Sequence, residues 1–205
     1  MALVTTIADA SADSYVTVEE ADSYILVRWP GDSDDWFSLS VSEKEDRLRV
    51  GAMMLDSLPL RGIKATLVQA LAFPRIFPGS ELWPTDGTGT VSDDPAYRYV
   101  SWEEVTVLAD ALGVDAPTIP DAVKKAQIET TFLYVVYMFN LAPDSSGAGG
   151  VSVSYVQTGD FAVTVRESPA YYQAVNLWQR SALTPGSVIY YLMKPYLGKI
   201  RGFAV

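Results

Sequence analysis

The sequence contains no histidine and no cysteine among its 205 residues. Without cysteine there is no disulfide framework, no thiol nucleophile and no thiolate metal ligand. Without histidine the commonest general base and the commonest metal ligand are both missing. No Ser-x-x-Lys pairing and no glycine-rich phosphate-binding loop takes their place. The sequence therefore predicts no enzymatic activity, no metal site and no cofactor.

Neighbouring carboxylates offer the remaining route to acid–base chemistry. The pairs are Asp34/Asp35, Asp93/Asp94 and Glu103/Glu104. All three lie in polar loops or at helix starts, where solvation and the helix dipole account for them. The run Asp32–Asp35 lacks the glycine and the downstream glutamate of a calcium loop, so we interpret it as a solvated loop.

Basic residues are few relative to acidic ones: 15 Lys and Arg face 25 Asp and Glu, for a net charge of −10. This balance argues against a nucleic-acid binder, whose affinity comes mostly from cations meeting phosphates. Residues 1–120 carry a net charge of −12, whereas residues 121–205 carry +2. Either this is a solvated surface with an accidental gradient, or an acidic body carries a mildly basic tail that meets a partner.

The chain also lacks a charged segment before an apolar run at its start, and no apolar run approaches the roughly 20 residues of a membrane-spanning helix. We therefore expect no secretory signal, no contact with a membrane, and a cytoplasmic site of synthesis. With an apolar fraction of 49%, a chain of this length has enough material for a real core.

Three capping boxes predict three helices: Thr17 with Glu20, Ser42 with Glu45, and Ser101 with Glu104. Behind each box, apolar residues recur at helical spacing and predict a buried stripe. The three stripes are Val18, Ala21, Ile25 and Trp29; then Leu48, Ala52 and Leu55, joined by Met53 and Met54; then Val105, Leu108, Ala109 and Leu112.

Residues 119–143 read as one long helix that starts at Pro120 and stops before Pro143. Its first half is amphipathic, with Val123, Ala126 and Thr130 on the inward stripe and Lys124, Lys125 and Glu129 outside it. Its second half, Phe132 to Phe139, is apolar all round and must be buried on every side. We expect the first two helices and the 101–112 helix to cover it.

After a flexible linker at 144–150, the apolar period changes to two, which predicts a β-hairpin. Its apolar positions are Val151, Val153, Tyr155, Phe161, Val163 and Val165. An isolated hairpin is marginal in water and its open edges invite pairing. These residues therefore form either a subunit interface or a hairpin folded onto the chain's own helices.

The tail, residues 169–205, combines aromatic and basic residues, a composition typical of interfaces. Our candidates for contact with a partner are Trp178, Arg180, Tyr190, Tyr191, Lys194 and Tyr196. The alternative is a last helix, near residues 186–195, packed on the bundle.

These patterns predict a mainly α fold: a small helical bundle with one protruding β-hairpin and a C-terminal arm. The expected units are a bundle at 1–143 with an inserted segment at 76–118, a linker and hairpin at 144–168, and an arm at 169–205. The expected core includes Tyr15, Tyr24, Leu55, Phe73, Val123, Ala126, Phe132, Val135 and Phe139.

Four short motifs, in order, resemble those of the head–tail connector (adaptor) proteins of tailed bacteriophages, some of which are filed as DnaT-like single-strand DNA-binding proteins. Residues 13–24, DSYVTVEEADSY, resemble the family's start, SYVSVEEADAY. Residues 42–45, SEKE, which precede a helix with Leu55-Asp56, are the second match. Residues 69–75, QALAFPR, resemble QAL-x-WPR, with Phe73 in place of Trp. Residues 119–127, IPDAVKKAQ, resemble the start of the family's main helix. The segment 76–118 and the tail are longer than is usual in that family.

The resemblance implies a structural virion protein that forms a ring, commonly of twelve subunits, beneath the portal. Such a ring extends the DNA channel and docks the tail or a stopper protein, while DNA passes through without specific binding. The expected partners are copies of the chain, the portal and the tail or stopper. The expected location is the virion neck, after assembly in the host cytoplasm. The alternative is a single-strand DNA-binding or replication-associated module, which needs a basic groove and stacking aromatics.

Overall fold

The computed structural model describes residues 2–31, 33–83, 99–136 and 187–198, with side chains described as far as Leu133 in the third range. Within these ranges the chain is mainly helical and has one small antiparallel sheet of two strands. Several predictions lie outside the described residues or side chains: the 151–165 hairpin, Val135, Phe139, Trp178 and Arg180.

Helix α1 spans Val18–Arg28, a short helix α2 spans Asp34–Phe37, and α3 spans Val41–Asp56. Strands β1, Ile63–Lys64, and β2, Arg75–Ile76, pair antiparallel, with Ile63 opposite Ile76. Helix α4 spans Trp102–Leu112. Helix α5 spans Asp121–Thr130 and continues as a π-helix over Thr131–Val136. Helix α6 spans Val188–Met193 and leads into a 3-10 turn at Lys194–Tyr196.

The caps of α1 and α4 are confirmed: Thr17 with Glu20 and Ser101 with Glu104 both form reciprocal capping boxes. The cap predicted for α3 is wrong by two residues. Ser40 and Glu43 form the box, not Ser42 and Glu45. The sequence SVSEKE contains two overlapping boxes of the same spacing, and the earlier one lets two more residues join the helix.

Helix α2 was not predicted, because residues 32–35 were interpreted as a solvated loop. It buries Trp36 completely. The Trp36 indole Nε1 donates to Asp22 Oδ1 at 2.6 Å, and Lys44 Nζ donates to the same oxygen at 2.9 Å. Helix α2 has no apolar periodicity of its own, and its contacts with Asp22 of α1 and Lys44 of α3 hold it in place.

The main core lies between α1, α3, α5 and α6. Of the residues expected there, those fully or nearly fully buried are Tyr15, Leu55, Phe73, Val123, Ala126 and Phe132, while Tyr24 is half-buried. Helix α3 approaches the π-helix closely. A Cβ on Gly51 would lie only 2.0 Å from Thr131 Oγ1, so that position has no room for a side chain.

Met53 was expected to be buried and Glu129 to be exposed, and the structure shows the reverse for both. Met53 is 49% exposed, because one residue beyond Ala52 it is turned about 100° away from the α3 stripe. Glu129 was placed on the outer face and is completely buried. Every residue from Ala126 to Phe132 is buried because α1, α3 and α6 all pack against α5.

Helix α4 does not join the main core as expected. Its Ala109 packs instead in a second cluster with Ala65, Ile76 and Leu82, over the β1–β2 sheet. Phe132, which α4 was expected to cover, lies in the main core with its ring centroid 5.5 Å from that of Trp29 on α1.

The described part of the tail packs on the main core. Ile189 and Met193 of α6 are buried there. The backbone N–H of Arg61 donates to the Tyr196 carbonyl at 2.8 Å, and that of Gly198 donates to the Pro59 carbonyl at 2.7 Å. Residues 187–198 thus include a last helix and turn that pack on the main core.

The two overlapping capping boxes of α3 allow a matched test. We expect Ser40→Ala to lower the free energy of unfolding by about 0.5–2 kcal/mol, because it removes the acceptor of the Glu43 N–H. Ser42→Ala, which changes an exposed residue inside the helix, should have little effect or stabilise slightly. Urea unfolding of both variants checks this. An equal or larger loss for Ser42→Ala would contradict the assigned cap.

Candidate functional site

The four motifs that carry the resemblance meet around one side chain, Tyr15. Its backbone N–H donates to Gln127 Oε1 at 2.9 Å, which joins the first motif to the fourth. Its hydroxyl donates to the Asp56 carboxylate of the second motif and accepts from the Phe73 N–H of the third at 3.2 Å. The other Asp56 oxygen accepts from the Ala72 N–H at 2.8 Å. We call Tyr15, Asp56, Ala72, Phe73 and Gln127 the motif network.

Gln127 extends the network across the bundle. Its side-chain amide donates to Ser14 Oγ at 2.9 Å and to the Leu48 carbonyl of α3 at 2.8 Å. The residue is completely buried and all its donors and its acceptor are used. It therefore ties α5 to α3 and to the segment before α1 by polar contacts that a purely apolar stripe cannot supply.

The third motif is used mainly to build its own loop. Gln69 accepts from the Thr66 N–H at 3.0 Å and donates to the Leu71 and Pro74 carbonyls. Arg75 donates to the carbonyls of Arg61, Gly62 and Ala72, at 2.7, 2.6 and 3.3 Å. With these groups engaged, the motif is a structural framework and leaves few groups for a ligand.

The third motif also has an apolar anchor. The Phe73 ring lies edge-on to those of Tyr15 and Tyr196, with centroids 6.1 and 5.5 Å apart. Tyr196 in turn lies 6.0 Å from Phe77. Tyr196 was predicted to touch a partner, and these contacts turn much of its ring toward the chain's own core.

Burial raises the pKa of Asp56 to about 6. The hydrogen bonds that Asp56 accepts from Tyr15 and Ala72 oppose this rise, and so do the positive charges of Lys64 and Arg75. Burial first, and the Asp56 charge second, raise the pKa of the Tyr15 hydroxyl. Partial desolvation of its ammonium group lowers the pKa of Lys64, and the charge of Asp56 acts against that shift. The network thus holds a carboxyl group that titrates close to neutral pH inside the fold.

A second buried carboxylate, Glu129, was missed because its position was assigned to solvent. Its Oε1 accepts from the Tyr24 hydroxyl at 2.8 Å and from Arg28 Nε at 3.2 Å. Burial followed by the hydrogen bond to Glu129 raises the pKa of Tyr24 to about 12. The signal for this contact in the sequence is the spacing of Tyr24 and Arg28, which places both on one face of α1.

Residues 57–80 and 187–198 form a region with four basic residues and no acid. Arg61 lies over the Phe77 ring at 5.2 Å, and Lys194 lies at 6.0 Å from the Tyr190 ring. Lys64 is exposed beside the exposed apolar side chains Leu67 and Val68. We call Arg61, Lys64, Leu67, Val68 and Lys194 the basic face.

Among the described residues, the cations of the basic face have no carboxylate within 4.0 Å, and neither has Arg75. Five cations elsewhere in the described ranges form ion pairs. The pairs are Arg28 with Glu129, Lys44 with Asp22, Arg49 with Asp13 and Asp46, Lys124 with Glu20, and Lys125 with Asp121. Among the described residues, the cations that lack a carboxylate partner thus include the three of the basic face and Arg75, all within residues 57–80 and 187–198.

Helix α4 carries the opposite charge. Residues 99–118 contain four acids and no base. Glu103, Val107 and Asp110 follow one another at helical spacing on its exposed side. We call these three residues the acidic stripe.

Over the described ranges, no group of three carboxylates is arranged to hold a metal ion. None of the helices in these ranges is long and apolar enough to cross a bilayer. Tyr190, Tyr191, Lys194 and Tyr196 lie together on α6 and the turn after it, with Tyr191 65% exposed. Their contact with a partner stays a prediction.

A protein-family model described as "Putative DnaT-like ssDNA binding protein" matches residues 1–89. The matched part includes α1, α2, α3 and the β1–β2 sheet. Of the motif network, Tyr15, Asp56, Ala72 and Phe73 lie within residues 1–89, and Gln127 lies outside them. Comparisons with curated proteins and with solved structures gave no match. Over its first 89 residues the chain is thus similar to a family described as DnaT-like single-strand DNA-binding proteins. Some of the connector proteins that the four motifs resemble are filed under the same name.

The motif network gives a prediction for Tyr15. We expect Tyr15→Phe to lower the free energy of unfolding by about 1–3 kcal/mol, because it leaves the Phe73 N–H and one Asp56 oxygen without their partner. Tyr191→Phe removes a hydroxyl from a 65% exposed ring and should change stability by less than about 0.5 kcal/mol. Urea unfolding at neutral pH compares the two. Equal effects would show that the Tyr15 hydroxyl contributes nothing specific.

The raised pKa of Asp56 predicts a pH dependence. The folded state holds this proton up to about pH 6, whereas the unfolded state releases it near 3.8. Stability from this group is therefore fully present below pH 3.8 and is lost as pH rises through about 6, by at most about 3 kcal/mol. Asp56→Asn cannot ionise, so its stability relative to wild type should improve between about pH 4 and pH 7. Urea unfolding across that range measures the difference. A pH-independent difference would contradict the assignment.

Proposed function

We propose that this chain is a structural virion protein, a head–tail adaptor that forms a ring beneath the portal, extends the DNA channel and docks the tail or a stopper protein. The observation that carries the proposal is the convergence of the four connector-like motifs on Tyr15. Short motifs that matched by chance have no reason to touch one another. Motifs that lie about 110 residues apart and hydrogen-bond directly are what a shared fold requires.

Exposed apolar side chains support a role in assembly. Leu26 and Val27 are neighbours at the end of α1 and are 61% and 82% exposed. Val41 on α3 and Val107 on α4 are 63% and 61% exposed. Exposed apolar surface of this kind marks interaction sites when it is contiguous, and subunits of a ring need such sites on two sides.

The charge of the chain suits a conduit for DNA. A net charge of −10 repels phosphates, so DNA slides past such a body without being held.

The second candidate is a single-strand DNA-binding module, and two observations favour it: the description of the family model that matches residues 1–89, and the basic face with aromatic rings beside it. Single-strand binding needs aromatic faces on which bases stack. Arg61 lies over Phe77, and Tyr196 packs between Phe73 and Phe77, so these rings already have partners within the fold. We therefore place this candidate after the adaptor.

The proposal predicts that the purified chain associates with the portal protein encoded by the same genome. Negative-stain images of the mixture should show an extra ring coaxial with the portal, and sedimentation should show a heavier particle than the portal alone. The chain mixed with an unrelated portal is the control. Absence of any association with its own portal would contradict the adaptor function.

Fluorescence anisotropy with a labelled oligothymidine of about 30 nucleotides separates the two candidates. At about 150 mM salt we expect no saturable binding at micromolar protein concentrations, because the chain as a whole repels phosphates. Saturable binding that weakens steeply with salt, together with failure to bind the portal, would favour the single-strand DNA-binding module.

A further inference from the structure

The unpaired cations and the acidic stripe occupy different parts of the surface. The basic face lies where the segment before β1 meets the turn after α6, as the hydrogen bonds between Arg61 and Tyr196 and between Pro59 and Gly198 show. The acidic stripe lies on the exposed side of α4, opposite the buried Val105 and Ala109. One protomer therefore presents two charged surfaces of opposite sign, one on residues 57–80 and 187–198 and the other on the outward side of α4, whose Ala109 packs over the β1–β2 sheet.

Both surfaces combine charge with exposed apolar side chains. On the basic face, Leu67 and Val68 are 47% and 49% exposed. On the acidic stripe, Val107 is 61% exposed between Glu103 and Asp110. A typical protein–protein interface has an apolar centre and a polar rim. Each of the two surfaces carries both apolar and charged side chains, as one side of such an interface does.

We propose that the basic face of one copy of this chain docks on the acidic stripe of the next copy, head to tail. The inference rests on the proposed ring, for which it names the contact between subunits. Two different surfaces that meet in this way make a heterologous interface, and repetition of that contact closes a ring when the rotation between copies allows it. A contact of one surface with itself would instead stop at a dimer.

Charge complementarity favours a second copy as the occupant. Residues 57–80 and 187–198 carry no acid, residues 99–118 carry no base, and the chain itself is strongly acidic. The cations of the basic face have no carboxylate partner within the described residues, so the neighbour's Glu103 and Asp110 can pair with Arg61 and Lys194 without breaking an existing ion pair. Apolar contact supplies the attraction, and the charges set orientation and exclude wrong pairings.

Charge reversal tests the contact through a mixing experiment. The first variant carries Arg61→Glu and Lys194→Glu, so both of its surfaces are acidic. The second carries Glu103→Lys and Asp110→Lys, so both of its surfaces are basic. All four positions are exposed and none belongs to the motif network, and circular dichroism and thermal unfolding check that both variants are folded.

Assembly is measured by sedimentation velocity and negative stain, for the chain alone and with its portal. We expect each variant alone to need roughly 100-fold more protein than wild type for half-assembly, because like charges then face each other. An equal mixture of the two should assemble as wild type does, since every contact again joins opposite charges. A variant with Glu19→Lys and Asp35→Lys is the control, because it reverses exposed acids outside both surfaces.

The outcomes separate this inference from the proposed function. If wild type forms rings and both reversed variants do so equally well, the assigned contact is wrong while the adaptor function stands. If the mixture recovers only dimers, the contact is isologous and the head-to-tail arrangement is wrong. If wild type forms no ring alone or on the portal, the proposed function itself fails.

Discussion

The fold depends on the contact between the Tyr15 hydroxyl and the Asp56 carboxylate. Asp56 is the last residue of α3, and it holds the N–H of Ala72, while Tyr15 holds that of Phe73. These two side chains thus fix the loop after β1 against the end of α3. A buried carboxylate is costly unless its oxygens are hydrogen-bonded, so the loop and the carboxylate require each other. Tyr15 also binds Gln127, and through it α5 takes its place in the same arrangement.

Features set by local chemistry could be predicted from the sequence. The boxes of α1 and α4 depend on residues three apart, and the stripe of Leu48, Ala52 and Leu55 depends on helical spacing alone, so both were correct. The α3 cap shows the limit of this reasoning. Two boxes of equal spacing overlap there, and the sequence spacing does not distinguish Ser40 from Ser42.

Features set by partners distant in sequence could not be predicted. Glu129 is buried because Tyr24 and Arg28, more than 100 residues earlier, donate to it. Helix α2 forms because Trp36 finds an acceptor in Asp22. The same limit applies to the candidate site. The motifs can be recognised in the sequence, but the contacts that join them around Tyr15 depend on tertiary packing and could not be predicted. The basic face likewise joins residues near position 61 to residues near 194, a closeness that no local pattern reveals.

The division between framework and surface bears on function. The motif residues that carry the resemblance are largely buried and hydrogen-bonded within the fold, so they account for the architecture and leave little for recognition. The acidic stripe lies in segment 76–118 and Lys194 lies in the tail, two segments that the sequence comparison predicts to be longer than is usual in connector proteins. If adaptors share a framework but must fit different portals and tails, differences between them belong on such added segments. Under the adaptor proposal, segment 76–118 and the tail are where this chain acquires its own partners, while Tyr15 and Asp56 maintain the fold that presents these segments.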